Sequence, residues 1–244
     1  MGVGVVAALA MELRALGPAT GRDGGLTSRV DGSLLAVSGI GGAAAAHAAR
    51  ALIDRGATAL ASWGLAGGLD PALRAGTVCL PKQVIEADGS TFPTAPAWRA
   101  YLRELIVLQC PVSEGGLLTQ SRIIDTVAGK AAAFRETGAV SVDMESGAIA
   151  RVAADHGLPF VAVRVIVDTA RDVLPRAIVQ SSAGGPLRIW RLFAALALAP
   201  GDLAAVLRLS QRFRAASSSL AIIARAGSLW PPAASAVARY SRTS

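Results

Sequence analysis

Residues 141–170, SVDMESGAIARVAADHGLPFVAVRVIVDTA, carry the strongest fold signal in the chain. The apolar run at 160–168 predicts a long buried strand. The alanine-rich segment 146–156 before it predicts a helix that ends at Gly157, because glycine commonly follows the last turn of a helix. A helix followed by a buried strand is typical of an α/β sheet.

The same alternation extends over the rest of the first 175 residues. Strands are predicted at 3–9, 34–38, 57–64, 78–81, 83–86 and 139–143, and a strand followed by a loop within 113–123. Helices are predicted at 43–55 and 131–137, and the glycine-rich segment GLAGGLD at 64–70 is predicted to be a loop. We therefore expect one α/β core over residues 1–175.

Acidic residues stand at the ends of two predicted strands. Asp143 and Glu145 follow one of them, and Asp168 ends the long strand. An acid at the end of a buried strand is costly unless it is used. Two interpretations remain open for Asp168: a functional site, or a helix cap or salt bridge with Arg164 as partner.

Two glycine clusters follow predicted strands. The first, SGIGGAA, loosely matches a dinucleotide fingerprint through Gly39, Gly41 and Ala44, but no acid follows at 61–63, which argues against NAD or FAD. Its amides could still face an anion, or the segment could be a plain tight turn. In the second cluster, Gly67 and Gly68 would let a flat ring approach the backbone.

Composition excludes several classes of protein. The chain is 52% hydrophobic and 17% charged, which indicates a folded protein. Cys79 and Cys110 have no cysteine or histidine at ligand spacing, so neither a disulfide framework nor a metal site is expected. With only His47 and His156 available, histidine-based catalysis is not expected either.

The net charge of +7 is concentrated in residues 176–244, which we treat as a C-terminal extension with two or three helices and a break at Pro200–Gly201. Within it, residues 186–244 combine apolar and basic side chains: Trp190, Leu192, Phe193 and Leu196 with Arg188, Arg191, Arg208, Arg212 and Arg214. This mixture suits either a membrane surface or a packed helix with a solvated basic face. No module for nucleic-acid recognition is recognisable.

The start of the chain carries Glu12 and no basic segment, so we expect no signal peptide. No uncharged apolar run reaches the length of a membrane span. We therefore expect a cytoplasmic protein, with peripheral attachment to the inner leaflet as an option through residues 186–244.

Four sequence blocks resemble the nucleoside phosphorylase family, and specifically its branch of methylthioadenosine and S-adenosylhomocysteine nucleosidases. They are GVVAALAMEL, SGIGGAAAA, SWGLAGGLDPALRAG and VDMESGAIARVAADHGLPFVAVRVIVD, and they span roughly residues 2–170. The resemblance implies a three-layer αβα fold around a mixed, partly barrel-like sheet. It also implies at least a homodimer.

The resemblance implies catalytic roles for three acids. Glu145 would hold the ribose hydroxyls, Asp168 would protonate or hydrogen-bond purine N7, and Glu12 would activate the attacking water. The remaining residues that we assign to the substrate site are Met144, packed on the sugar, and Ile40, Gly41, Leu65, Gly67, Gly68, Arg122, Ile123 and Asp143. Leu65 stands where the family usually has a serine, and Arg122 near the place of a purine-stacking aromatic.

Chemistry makes these residue types reasonable. Cleavage of an N-glycosidic bond builds positive charge on the sugar and negative charge on the departing base. A carboxylate near the sugar stabilises the cation, and a protonated acid at N7 improves the leaving group, so the pKa of Asp168 should be raised.

The nucleophile follows from a departure from the family pattern. Phosphorylases hold phosphate with an arginine where this chain has Ser62 and Trp63, which favours water. Arg14 and Arg164 keep phosphate open as a co-substrate, and no other cofactor is expected. The alternatives are a phosphorolytic purine nucleoside phosphorylase, a methylthioadenosine/S-adenosylhomocysteine nucleosidase, or a nucleoside- or lipid-binding protein without turnover.

The chain as a whole is most similar to the hopanoid-associated phosphorylases, which extend such a core with a similar tail. That resemblance implies removal of adenine from adenosylhopane. The expected substrate is then a nucleoside with an apolar 5′ group.

Overall fold

The computed structural model describes residues 2–18, 20–23, 26–174 and 203–226. In these residues it has twelve strands and six helices. The strands are β1 Gly2–Ala7, β2 Gly21–Asp23, β3 Leu26–Ser28, β4 Leu34–Val37, β5 Ala57–Gly68, β6 Val78–Cys79, β7 Gln83–Glu86, β8 Thr91–Pro93, β9 Val112–Ser113, β10 Leu117–Thr119, β11 Ser141–Asp143 and β12 Phe160–Asp168. The helices are α1 Ala10–Arg14, α2 Gly42–Asp54, α3 Pro96–Ile106, α4 Val127–Thr137, α5 Ser146–Asp155 and α6 Leu203–Arg225.

One mixed sheet contains all of these strands. Its main order is β2-β3-β4-β1-β5-β11-β10-β7-β8, and a second branch leaves β5 through β12, β6 and β9. Strands β4, β1, β5 and β12 are parallel, so their carboxyl ends lie at one edge. Within the described strands the sheet branches at β5 but does not close into a barrel.

Apolar cores lie on both faces of the sheet, because successive side chains of a strand point to opposite sides. On β12, Val161, Val163 and Val165 belong to one core, which also includes residues of α1, α3 and α6. Phe160 and Ala162 belong to the other, which includes residues of α2 and α5. These two helical layers around a sheet give the three-layer fold that the family resemblance implied.

Two sequence predictions need correction, and one helix was missed. The glycine segment after residue 64 is not a loop, because β5 continues through Gly68, held by pairing with both β11 and β12. Helix α3 was not predicted. Helix α4 begins at Val127 rather than at 131, because the Thr126 hydroxyl caps it by accepting a hydrogen bond from the Gly129 amide.

Helix α6 is the part of the C-terminal extension that the structure describes. Its residues Ala216, Leu220 and Ile223 are buried in the core on the α3 face, and the Ser219 hydroxyl donates to the Gly76 carbonyl. The predicted break at Pro200–Gly201 and the apolar residues at 190–196 lie outside the described residues. In the described part of the chain, no helix has the length and apolar character needed to cross a membrane.

Candidate active site

Pairing around Gly67 brings the two acidic strand ends together. Gly67 of β5 pairs with Val142 of β11 on one side and with Asp168 of β12 on the other. The backbone positions that follow Val142 carry Asp143 and Glu145. A glycine suits this position, since an added Cβ would lie only 3.3 Å from the Asp168 carboxylate and from Val142.

Glu12 is fixed by backbone amides. The Glu12 carboxylate accepts hydrogen bonds from the Leu9 amide at 2.8 Å and from the Leu65 amide at 3.0 Å. The first hydrogen bond caps the N-terminus of α1, and the second links α1 to β5. The Glu12 carbonyl also accepts from the Trp63 indole at 2.9 Å. Burial raises the pKa of the Glu12 carboxyl, although Arg164 and the amides oppose the rise.

Arg164 is the buried cation at the centre of the carboxylates. It is 1% exposed, and its Nη2 lies 2.7 Å from Asp143 Oδ2 and 3.9 Å from Glu145 Oε2. The same nitrogen donates to the hydroxyls of Ser62 at 2.7 Å and Ser146 at 3.1 Å. Burial would lower the pKa of Arg164, but the surrounding carboxylates raise it above its ordinary value.

Asp143 acts as a structural partner in this cluster. It accepts from the Thr119 hydroxyl at 2.7 Å and from the Ser146 amide at 3.1 Å, in addition to its ion pair with Arg164. The salt bridge that the sequence suggested between Arg164 and Asp168 is therefore wrong, since Arg164 pairs with Asp143 instead.

Glu145 points toward the first glycine cluster. Its Oε1 accepts from the Gly41 amide at 2.9 Å, so this amide positions a carboxylate of the protein itself. Burial and the nearby Asp143 raise the pKa of Glu145 to about 7, against the opposing effect of Arg164. Glu145 therefore changes charge near neutral pH.

Asp168 pairs with a residue that sequence reasoning missed. The Nζ of Lys130, on α4, makes an ion pair with Asp168 Oδ2, and Lys130 is fully buried. Burial raises the pKa of the Asp168 carboxyl, as N7 protonation requires, while Lys130 opposes that rise. No sequence pattern identified this residue, although Lys82 and Lys130 are the only lysines of a chain rich in arginine.

A cavity of about 250 Å³ lies against these acids. Nine of the residues assigned from the sequence line it: Ile40, Leu65, Gly67, Arg122, Ile123, Asp143, Met144, Glu145 and Asp168. Gly41 and Gly68 do not line it; Gly41 holds Glu145, and an added Cβ at Gly68 would meet the Asp168 backbone. Glu12 lies beside it, on an adjoining pocket of about 30 Å³.

Much of the cavity wall is apolar. Met11, Leu65 and Phe213 line both the main cavity and the small pocket beside Glu12, and Val167 and Leu174 extend the apolar wall. Phe213 comes from α6, so the C-terminal extension contributes directly to the cavity. The sequence did not identify Met11 or Phe213, because neither lies at a strand end or in a glycine cluster. No group of three or more potential metal ligands is present in the described residues.

Comparison with known proteins gives one family match. Residues 29–184 match the family described as the phosphorylase superfamily. No curated protein sequence matches the chain.

Several solved structures are similar to the whole chain. Futalosine hydrolase of Helicobacter pylori is 18% identical with a TM-score of 0.68, covering 91% of this chain and 97% of its own. The 5′-methylthioadenosine/S-adenosylhomocysteine nucleosidase of Neisseria meningitidis, in complex with methylthio-immucillin-A, is 19% identical with a TM-score of 0.68, covering 91% and 96%. The nucleosidase of Colwellia psychrerythraea, in complex with adenine, is 22% identical with a TM-score of 0.64, covering 90% and 96%. At these identities the likeness confirms the fold.

Proposed function

The chain belongs to the phosphorylase superfamily and is an enzyme of the nucleosidase and nucleoside phosphorylase type, and from this premise we propose that it hydrolyses the N-glycosidic bond of a 5′-substituted adenosine and releases adenine. The observation that carries the proposal is the position of Glu145 and Asp168 on the wall of one cavity, with Glu12 beside it. Buried carboxylates with raised pKa values in a cavity are typical of catalytic groups.

Each acid has a separate part in the reaction. Water attacks C1′ of the ribose, and the bond from C1′ to N9 breaks with its electron pair going to the base. Asp168 gives its proton to N7, and Glu12 takes a proton from the attacking water. The ionised Glu145 stabilises the cationic sugar and binds its hydroxyls. Exchange with solvent returns the proton to Asp168 and removes it from Glu12.

Water is favoured over phosphate by the state of Arg164. Its guanidinium is already occupied by Asp143, Ser62 and Ser146, and at 1% exposure it offers no surface to an anion. Arg14 is exposed, and among the described residues that line the cavity Arg122 is the only arginine. A phosphate dianion in the cavity would therefore meet Arg122 but also the carboxyl groups of Asp143, Glu145 and Asp168, which is electrostatically unfavourable.

The apolar side chains shared by the cavity and the pocket beside Glu12 support a substrate with an apolar 5′ group. We propose adenosylhopane, whose hydrocarbon would pass along Met11, Leu65 and Phe213 while adenine faces Asp168. Removal of its adenine would place the enzyme in hopanoid biosynthesis. A lipid substrate also gives a reason for peripheral attachment to a membrane through residues 186–244.

Adenine release is the direct test of the reaction. Purified enzyme with 5′-methylthioadenosine or adenosylhopane should release adenine, measured by chromatography, whereas Asp168→Asn should lose roughly 10²–10⁴-fold in kcat, the usual contribution of a general acid. Asp155→Asn, a change on the exposed surface of α5, is the matched control and should retain wild-type turnover. No adenine from either substrate, or full turnover by Asp168→Asn, would contradict the proposal.

Two further measurements separate the alternatives. The sugar product identifies the nucleophile, since formation of a ribosyl 1-phosphate in phosphate buffer would replace hydrolysis by phosphorolysis. The 5′ preference follows from comparing kcat/KM for methylthioadenosine with that for adenosylhopane presented in anionic vesicles. The full chain is needed for both, because α6 lines the cavity. A preference for methylthioadenosine would replace the lipid substrate by a small soluble one.

A further inference from the structure

Lys130 is fully buried and makes three hydrogen bonds. Its Nζ contacts Asp168 Oδ2 and donates to the Thr169 carbonyl at 2.8 Å and to the Asp172 carbonyl at 3.1 Å. An ammonium group has three N–H donors, so these acceptors use all of them. Burying a lysine completely is costly, and the complete set of partners offsets that cost.

The three acceptors all belong to the end of β12 and the segment that follows it. Lys130 therefore fixes Asp168 together with the turn at 169–172. The same turn is tied a second time, because Asp172 Oδ2 accepts from the Thr169 amide and hydroxyl, each at 2.8 Å, and pairs with Arg212 of α6. Asp168 thus stands at the point where α4, β12 and α6 are joined by polar contacts.

We propose that Lys130 is a positioning residue that holds the Asp168 carboxyl against the cavity wall in the orientation needed to give a proton to the departing base. This inference rests on the proposed function, since it concerns the proton that Asp168 donates. The geometry carries it: Asp168 lines the cavity, and the contact of Lys130 Nζ with its Oδ2 restricts rotation of the carboxyl. Hydrogen bonds that lock a catalytic side chain in this manner act through its orientation, and misplacement by about 1 Å can cost roughly 10²-fold in rate.

A substrate pair separates positioning from a general structural role. Adenine needs a proton to leave, whereas the phenolate of a 4-nitrophenyl β-ribofuranoside leaves without one. Lys130→Met should lower kcat for a 5′-substituted adenosine by roughly 10²-fold or more with little change in KM. The same variant should keep most of its turnover on the nitrophenyl riboside. Lys82→Met, at the exposed second lysine, is the matched control and should leave both rates unchanged.

A double-mutant cycle adds an independent readout. If Lys130 acts through Asp168, the double variant Lys130→Met/Asp168→Asn should be no slower on the adenosine substrate than Asp168→Asn alone. Because removing both members of a buried ion pair leaves no uncompensated charge, the double variant can be measured even where Lys130→Met unfolds by itself.

The outcomes distinguish this inference from the proposed function. A wild-type enzyme that releases no adenine contradicts the proposed function itself. With an active wild-type enzyme, equal losses on the two substrates, or a double variant clearly slower than Asp168→Asn, would overturn the positioning role. Wild-type kcat in a folded Lys130→Met variant would overturn it as well.

Discussion

Gly64 offers a sharp test of how the carboxylates are packed. It lies on β5 directly opposite Arg164 of β12. A Cβ at position 64 would stand 2.5 Å from Glu12 Oε1 and 2.6 Å from Arg164 Nη1. Ordinary non-bonded contacts are about 3.5–4.0 Å, so both groups would have to retreat by roughly 1 Å.

Neither group can retreat without loss. Movement of Glu12 would break its hydrogen bond to the Leu65 amide, and movement of Arg164 would weaken its pair with Asp143. Overpacking of a buried site costs about 1–3 kcal/mol. The backbone adds a penalty of similar size, because Gly64 has a φ of +153°, which side-chain-bearing residues rarely adopt. We therefore expect Gly64→Ala to lower the free energy of unfolding by about 2–5 kcal/mol.

Activity should fall with stability. Displacement of Glu12 by about 1 Å predicts a loss of roughly 10²-fold in kcat/KM for adenine release. The assays are urea denaturation followed by fluorescence, and adenine release at a temperature where the variant is folded. Gly116→Ala is the matched control, because its added Cβ would have no contact closer than 3.4 Å. A Gly64→Ala variant as stable and active as Gly116→Ala would refute the packing argument.

Three further outcomes are expected from the same site. Arg164→Met should lower the free energy of unfolding by about 3–5 kcal/mol in urea denaturation, since it leaves Asp143 and Glu145 without their cation. Arg151→Met, at an exposed arginine, is the control, and an equal effect of the two substitutions would contradict the prediction. Burial raises the pKa of Glu145 to about 7, and the proposed mechanism uses its ionised form, so kcat/KM should fall as the pH drops below about 7. A pH profile that is flat from about 5 to 8 would argue against a catalytic role for the ionised Glu145. Phe213→Ala should raise KM for a nucleoside with a long apolar 5′ group by roughly 10–100-fold while changing KM for adenosine little, since it removes an aromatic side chain from the cavity wall. An equal change for both nucleosides would place Phe213 outside the 5′ subsite.

Local pattern predicted the elements whose periodicity is strong. The strand at 160–168 and the helix that follows Glu145 were predicted within one residue at each end, because burial on both faces gives a continuous apolar run and a packed helix gives a regular one. The short edge strands were missed, since a strand of three residues has too few positions to show a period. Helix α3 was missed although its 11 residues are enough to show one. Strand β5 was ended too early, because its glycines suggested a turn and only pairing with two neighbouring strands keeps them extended.

The sequence by itself determined that acids stand at the ends of buried strands. Because burying a carboxylate is costly, Glu145 and Asp168 could be identified as candidate site residues without knowing how the strands pack together. The motif around Met144 resembled the nucleosidases, and the family and fold that this resemblance implied are confirmed. Only the tertiary structure decided how these acids are partnered. Contacts between residues far apart in the chain leave no local trace, so neither the pairing of Asp168 with Lys130 nor the approach of Phe213 from α6 was visible in any pattern. Both depend on strand register around Gly67 and on helix packing against the sheet, which arise only when the whole core forms.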